Sequence, residues 1–251
     1  MSDMNEYKIV KITDLGTVNR GKSKHRPRND SILYGGEYPF IQTGDVKKAN
    51  LHLVDYTQTY NDVGLKQSKL WKKGTLCFTI AANIADSAIL GMDACFPDSI
   101  VGFLPYENVS DTTYVKYLFD ELKLYFQQIS KGTTQDNLSL DKICRVKLRV
   151  PDYDTQVKVA SILSTYDEEQ KVKLSAKNLY KKLVDNRSGL LVVDWYKDEQ
   201  PRAKLKYEVE LSLNDDLPES YDKAAFDSKV SLLMNHFVDM AVQGYGWIGA
   251  A

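Results

Sequence analysis

Cysteine, histidine and long apolar runs are all scarce in this sequence. The chain has 3 cysteines and 3 histidines among 251 residues. Cys77, Cys95 and Cys144 each stand among apolar neighbours, with no Cys-x-x-Cys pair, so we expect buried free thiols rather than disulfides or a zinc site. No apolar run approaches the roughly 18 residues that span a bilayer, and the start, MSDMNEYKIVK, lacks the apolar core of a signal peptide. The sequence therefore predicts a cytoplasmic protein without a membrane segment.

The sequence also lacks the motifs of common nucleotide-binding and catalytic sites. It contains no GxxxxGK[S/T] phosphate loop, no GxSxG turn and no Asn-Pro-Pro-aromatic tetrapeptide of amino-methyltransferases. The Pro-Asp and acidic-x-Lys pattern of metal nucleases matches twice, at Pro97-Asp98 with Glu121 and Lys123, and at Pro151-Asp152 with Glu169 and Lys171. Both triplets fall in predicted helices, whereas that chemistry needs the carboxylate and lysine on a strand around a cation. We therefore expect no metal, no cofactor and no catalytic activity.

Short runs of β-branched and aromatic residues predict strands in the first part of the chain. They are YKIVKI, YPFIQTG, TLCFTIA and SIVGFLP, separated by glycine, proline, asparagine and aspartate. From Thr112 to Ile129 apolar residues recur at helical spacing, which predicts an amphipathic helix packed on the strands. The run ICRVKLRVP then alternates and predicts a closing strand. Residues 1–152 are thus predicted to form a strand-rich α+β domain with packed helices.

The rest of the chain is predicted to be helical. Residues 153–187 form a predicted helical segment. From Asp167 it is rich in lysine and glutamate and carries a narrow apolar stripe, on about 30 Å of helix if residues 167–186 are continuous. This predicted pairing face consists of Val172, Ala176, Leu179 and Leu183. So narrow a stripe needs a partner helix, and packing back on the chain's own domain stays open as an alternative.

Charge separates the two ends of the chain. From Leu190 onwards there are 6 Lys and Arg against 11 Asp and Glu, whereas the whole chain has a net charge of -1. The part before Leu190 is therefore mildly basic, and residues 188–251 form an acidic segment. Such a division predicts two modules with different partners.

The basic segment, Asn19 to Asp30, is the most cationic stretch of the first module. It carries no acid before its last residue, and its cations are Arg20, Lys22, Lys24, Arg26 and Arg28. Its glycine, proline and serine content argues against helix or strand, so we expect a flexible loop. Cations on such a loop suit DNA phosphates, and arginine also reaches the O6 and N7 atoms of guanine. A run of this kind standing alone would more often be a solvated loop.

Three further loops are rich in amides, hydroxyls and small residues: 42–45, 82–86 and 131–137. Such side chains pair with base edges, and glycine lets the backbone approach a duplex. The candidate DNA-contacting residues in them are Gln42, Thr43, Asn83, Lys131, Thr133, Thr134 and Gln135. We predict that Gln42, Asn83, Thr134 and Gln135 read bases and that the cations hold phosphates. Any one of these loops by itself would be an ordinary turn.

The order of these motifs resembles a known family. YPFIQTGDV, LWKKGTLCFTI, SIVGFLP and ISKGTTQDNLSLDKICRVKLRVPDYDTQVKVASILSTYDE resemble the target-recognition domain and following helix of a type I restriction-modification specificity subunit. The resemblance implies a non-catalytic subunit that reads double-stranded DNA and joins two methylation subunits and two motor-nuclease subunits. A full-length member carries two recognition domains, each reading half of a split target. This chain resembles one half, so its pairing face would join two copies through the 167–186 helix.

The acidic segment carries a second resemblance. The stretch from LLVVDW to FVDMA is similar to the C-terminal helical part of the motor-nuclease subunit of the same systems. This implies a fusion near residues 187–190, and its origin, engineered or natural, stays open; the Asn-Arg-Ser-Gly junction favours engineering.

Two functions remain to be distinguished. The loops and the resemblance favour a sequence-specific DNA-binding subunit. The alternative is a protein–protein assembly module of the same complex, in which the acidic segment and the pairing face bind protein and DNA contact is incidental.

Overall fold

The computed structural model describes residues 7–131, 138–184, 194–216 and 223–243. The chain divides into two compact units, Met1–Ile162 and Leu163–Ala251. The boundary lies inside a single helix, whereas the sequence suggested functional segments that end at 152 and 187. That three-part division stays a prediction.

The strands of the first unit build three sheets. They are β1 Lys8–Lys11, β2 Gly16–Arg20, β3 Tyr34–Phe40, β4 His52–Leu53, β5 Gln58–Tyr60, β6 Leu70–Trp71, β7 Leu76–Thr79, β8 Ser87–Leu90, β9 Ala94–Cys95, β10 Ile100–Pro105 and β11 Lys147–Val150. One sheet has the order β2-β10-β7-β8-β4, a second has the order β5-β3-β9-β6, and β1 pairs with β11. The pairing of β1 with β11 is antiparallel and joins the start of the domain to its end.

The helices follow the sequence pattern with several additions. They are α1 Ile12–Leu15, α2 Thr43–Lys48, α3 Asp62–Gln67, α4 Thr112–Glu121, α5 Lys123–Ser130, α6 Leu140–Arg145, α7 Tyr153–Val184, α8 Glu199–Asp216 and α9 Lys223–Val242. The predicted amphipathic helix is present as α4 and α5, and the α+β class is confirmed. Among the described helices, none is long and apolar enough to cross a membrane.

Side-chain caps explain where several of the short helices begin. Asn61 Oδ1 accepts hydrogen bonds from two N–H groups in the first turn of α3, at 2.9 and 3.1 Å. Asp111 does the same for α4 at 2.7 Å, and Ser139 for α6 at 3.2 Å. These caps satisfy amides that a helix start leaves unpaired. The Ser139 cap also corrects the predicted closing strand: Ile143 lies in α6, and the strand begins only at Lys147.

The main core lies between the five-stranded sheet and the helices α4 and α5. Three buried phenylalanine rings, Phe78, Phe119 and Phe126, meet edge to face with centroids 4.8 to 5.3 Å apart. α4 also packs on β8. The apolar stripe of the predicted amphipathic helix is therefore the surface that covers the sheet.

The cysteines are free thiols, as predicted. Cys77 and Cys95 are buried, while Cys144 is only half-buried. Burial raises the pKa of all three thiols, which keeps them protonated at neutral pH.

The second unit contains the C-terminal end of α7 together with α8 and α9. Its core consists of Leu179, Leu183, Trp195, Leu205, Val209, Leu213, Val230 and Phe237, each at most 5% exposed. The helical structure predicted for the rest of the chain is present here as α8 and α9.

Replacing Phe126 by alanine should lower the free energy of unfolding by about 3 to 5 kcal/mol, because the change leaves a cavity between α5 and the sheet. Urea unfolding followed by circular dichroism measures this loss. The matched control is Leu124→Ala on the same helix, where the side chain is 72% exposed. A surface change of this kind should cost no more than about 0.5 kcal/mol. Equal losses in the two variants would contradict the assigned core.

Candidate nucleic-acid interface

One end of the five-stranded sheet brings three chain segments together. β10 pairs antiparallel with β2, with Val101 opposite Arg20, and with β7, with Ile100 opposite Thr79. β7 pairs in turn with β8. Asn19 and Arg20 of the basic segment lie in β2, where a loop was predicted, because they pair with β10. The rest of the basic segment, the turn between β7 and β8, and the residues before β10 therefore leave the sheet at the same end.

Backbone hydrogen bonds hold the basic segment, which was predicted to be flexible. The N–H of Gly21 donates to Ile100 O at 2.8 Å, and that of Lys22 donates to Phe96 O at 3.0 Å. Gln67 Oε1 accepts from two further N–H groups of the segment, at 2.6 and 3.0 Å. A Cβ on Gly21 would lie 2.4 Å from Phe96 O, so glycine is required for this close approach.

The five cations of the basic segment differ in what they contact. Arg28 forms an ion pair with Asp98 at 2.8 Å. The Arg26 guanidinium donates to Ser23 O at 2.8 Å and to His25 O at 2.7 Å. Within the described residues, no side-chain hydrogen bond or ion pair is made by Arg20, Lys22 or Lys24. These three can contact phosphates without first breaking an internal contact.

Gln42 and Thr43 lie at the start of α2. The N–H of Gln42 donates to Asp45 Oδ2 at 2.8 Å, which closes the first turn. The Gln42 side-chain amide donates to Gln58 Oε1 at 2.6 Å. The prediction of a loop at residues 42–45 is wrong, since residues 43–48 form α2. Asp45 lies in the first turn of this helix, and its hydrogen bond to the N–H of Gln42 favours a helix start over the turn that the adjacent glycine favours.

Asn83 lies in a tight turn, residues 80–86, that we call the Asn83 turn. Ala82 and Ala85 have φ angles of 59° and 68°, in the left-handed region that strains residues other than glycine. The Thr79 hydroxyl at the end of β7 donates to Asn83 O. The Asn83 side-chain amide lies 3.5 Å from Thr43 O, so two predicted sites from distant parts of the sequence are adjacent.

Helix α5 fastens the Asn83 turn to the domain. Gln127 Nε2 donates to Ile84 O at 3.1 Å, and Lys123 Nζ lies 2.6 Å from Asp86 Oδ1. The Asp86 side chain is only 12% exposed, so its carboxylate would be costly to leave unpaired. Neither residue was predicted from the sequence to hold this turn: Lys123 matched only a nuclease pattern, and Gln127 matched no motif. Their i, i+4 spacing on one helix face was the available signal.

Lys131 is exposed and directly follows α5. Outside the described residues lie Thr133, Thr134 and Gln135. Beyond them, the N–H of the buried Leu138 donates to Ile80 O at 3.0 Å. The residues on either side of this predicted site are therefore anchored beside the Asn83 turn.

A cleft of about 600 Å³ opens between α2, the Asn83 turn and α5. We call it the lysine cleft, and its polar lining includes Lys47, Asn83, Asp86, Lys123, Gln127 and Lys131. It unites two predicted DNA-contacting residues, Asn83 and Lys131, with Lys47, which was not predicted from the sequence. The sequence feature that could have indicated Lys47 is the Lys47-Lys48 pair at the end of α2, close after Gln42.

Three residues of the two nuclease patterns, Asp98, Lys123 and Asp152, have other partners. Asp98 pairs with Arg28, and Lys123 pairs with Asp86. Asp152 accepts an N–H hydrogen bond at 2.9 Å in the first turn of α7, and this bond lowers the pKa of its carboxyl. Within the described ranges, no group of three or more His, Cys, Asp or Glu side chains could hold a metal ion.

The chain itself covers half of the predicted pairing face. Leu179 and Leu183 are each 4% exposed and belong to the core formed with Trp195, α8 and α9. Val172 is half-buried and Ala176 is exposed. The sequence left open that this face packs on the chain itself. Leu179 and Leu183 do so, against α8 and α9. A second copy would have to displace α8 and α9 to reach them.

Replacing Lys123 by methionine should lower the free energy of unfolding by about 1 to 3 kcal/mol, because it leaves the shielded Asp86 carboxylate without its partner. Thermal and urea unfolding of the purified chain measure the loss. Lys72→Met is the matched control: Lys72 also pairs with an aspartate, but its side chain is 77% exposed. Loss of an exposed pair should cost no more than about 1 kcal/mol. If the two variants lose the same stability, α5 does not hold the turn through this ion pair.

Comparison with known proteins places this geometry in a family. The model of the type I restriction modification DNA specificity domain matches residues 4–181. The MjaIX specificity subunit of Methanocaldococcus jannaschii is 23% identical over 224 residues, which are 86% of this chain and 50% of that protein. The HindI specificity subunit of Haemophilus influenzae is 26% identical over 214 residues, 81% of this chain and 43% of that one. The chain thus spans about half the length of these relatives.

A solved structure shows the same fold. The HsdS subunit from Thermoanaerobacter tengcongensis aligns over 88% of this chain and 47% of its own, with a TM-score of 0.52 and 13% identity. The resemblance to a specificity subunit is confirmed, and specificity subunits are non-catalytic. None of the relatives named here is a motor-nuclease subunit, so the resemblance of the acidic segment is not shown. Because the family model matches well over half of its residues, the chain belongs to the type I restriction modification DNA specificity domain family.

Proposed function

We propose that the chain is a sequence-specific DNA-binding subunit that reads one half of a split target for a type I restriction-modification complex. The observation that carries the proposal is the convergence of the basic segment, the Asn83 turn and the start of α2 at one end of the five-stranded sheet. Pairing of β2 and β7 with the same strand, β10, brings these segments close together, although 49 residues of the chain lie between the first and the second. A surface with both cations and amides suits duplex DNA.

The two kinds of side chain would have different tasks. Arg20, Lys22 and Lys24 are available to phosphates, which fix position without selecting sequence. Within the described residues, the side chain of Asn83 makes only one long hydrogen bond, 3.5 Å, to Thr43 O, so its amide keeps capacity for a base edge. The Gln42 amide is oriented by Gln58, which suits a reading group whose rotamer must be set in advance. Thr134 and Gln135 stay proposed readers.

We also propose partners of the kind implied by the resemblance. A methylation subunit and a motor-nuclease subunit would dock on the chain, and the acidic segment would be a motor-derived docking element joined near residues 187–190. Two copies would pair through the 167–186 helix only if α8 and α9 leave Leu179 and Leu183. The mass of the purified chain in solution distinguishes the monomer from such a pair.

One observation favours the assembly module as a second function. α7 exposes Leu163, Tyr166 and Leu174, which are 37%, 57% and 55% exposed and lie on one helix face. This face is opposite the pairing face, because half a turn separates Leu174 from Val172. An apolar stripe of this kind supports protein docking.

For the DNA-binding function, the purified chain, alone and with a type I methylation subunit, should enrich one half-site from a pool of randomised duplexes. Asn83→Ala should weaken binding to that duplex by about 1 to 3 kcal/mol and relax selectivity at one base position. Sequencing of the enriched pool and fluorescence anisotropy with the selected duplex measure both effects.

Two controls complete that experiment. Asn235→Ala removes an exposed amide in α9 and should leave selectivity unchanged. Lys24→Ala should weaken binding to all duplexes by the same factor and reduce the slope of log K against log salt by about one, as expected for the loss of one phosphate contact. No enrichment at any salt concentration, with or without the methylation subunit, would rule out the DNA-reading function.

For the assembly function, Leu174→Asp should abolish co-purification with the methylation subunit, because it places a charge in the exposed apolar stripe of α7. Val63→Asp is the control, since Val63 is 46% exposed on α3 of the other unit. Co-purification that survives Leu174→Asp would exclude this face as the docking surface. Loss of the complex together with unchanged DNA selectivity would show that the two functions are separable.

A further inference from the structure

We infer that the lysine cleft binds the sugar-phosphate backbone of one DNA strand and so sets the register in which the Asn83 turn meets the bases. This inference rests on the proposed DNA-reading function and deepens it. It assigns a site to Lys47 and Lys131.

The charge of the cleft favours an anion. Among the described residues that line it, three carry ammonium groups, Lys47, Lys123 and Lys131, and one carries a carboxylate, Asp86. Lys123 already neutralises that carboxylate, at 2.6 Å. Lys47 and Lys131 are exposed, and no described acidic side chain forms an ion pair with either of them. A concave surface with charge of one sign concentrates its field on a ligand of the opposite sign.

The size and lining favour a backbone over an everted base. About 600 Å³ is far more than a lone phosphate fills, and it accommodates a nucleotide unit with its neighbouring phosphates. An unstacked base is normally held between aromatic or apolar rings. The described residues that line the cleft include no aromatic side chain. Lysine is also a rotatable point charge that suits a phosphate, whereas a guanine edge favours the rigid fork of arginine.

The remaining polar groups of the cleft are largely occupied. Gln127 donates to Ile84 O, and the Ser130 hydroxyl donates to Gln127 O at 2.7 Å. The side chain of Asn83, at the wall of the cleft, has only its long bond to Thr43 O within the described part of the chain. Backbone binding by the two lysines would therefore leave Asn83 as the group with capacity to read an adjacent base. In this arrangement phosphate contacts position the duplex and one neighbouring amide specifies sequence.

The test compares Lys47→Ala and Lys131→Ala with Lys48→Ala in the full chain, alone and with the methylation subunit. Lys48 is the next residue of α2, equally exposed, and does not line the cleft. Binding to the selected duplex and to an unrelated duplex is measured by anisotropy from about 50 to 200 mM salt. Each cleft variant should weaken both duplexes by the same factor and reduce the slope of log K against log salt by about one, and the double variant by about two. Lys48→Ala should leave the slope unchanged.

The outcomes separate this inference from the function on which it rests. Cleft variants that behave like Lys48→Ala overturn the phosphate site, while the selectivity of the unaltered chain would still stand. A changed ratio between the two duplexes would mean that these lysines read bases, and this also overturns it. An unaltered chain that prefers neither duplex removes the proposed function and the inference together. Melting temperatures within the range of the Lys48→Ala control exclude misfolding as the cause of any loss.

Discussion

The antiparallel pairing of β10 with both β2 and β7 is the constraint on which the candidate interface depends. The first four residues of β10 are buried, and the strand is hydrogen-bonded on both sides. Its register decides which residues of β2 and β7 end level with each other, and so where the basic segment and the Asn83 turn emerge. A shift of one residue would turn Phe78 out of the core and carry both segments to new positions. The same strand register is therefore required both for the packing of the core and for the geometry of the candidate interface.

The interface is irregular in backbone but well fixed. The basic segment is tied to the residues before β10 and to Gln67, and the Asn83 turn is tied to Thr79 and α5. Two alanines with positive φ angles persist there because the surrounding hydrogen bonds hold them. Fixed reading groups lose little conformational entropy on binding, which favours selectivity. Internal contacts also occupy some of the candidate side chains, such as those of Arg26, Arg28 and Gln42, which would have to exchange these contacts for contacts with DNA.

Helix α7 belongs to both compact units and has a different task in each. Near its start, the buried Gln156 donates to Val109 O at 3.2 Å and to Pro151 O at 3.0 Å, which ties the helix to the first unit. Near its end, Leu179 and Leu183 complete the core with α8 and α9. Although the acidic segment is charged overall, the apolar side chains of its helices α8 and α9 cover this end of α7. An apolar stripe predicts that one face of a helix packs against another element, but it does not predict which element that is.

The sequence by itself determined the class of fold, the amphipathic helix over α4 and α5, the long helix α7 and the polar, basic character of the loops, because periodicity and composition are local properties. It did not predict that Gln42 starts a helix, that Ile143 lies in α6, or that α5 holds the Asn83 turn. Those depend on caps and on contacts between residues 40 or more positions apart, such as Gln127 with Ile84. Only the tertiary structure placed Lys47, Asn83 and Lys131 around one cleft, since no periodicity links residues that meet through strand pairing.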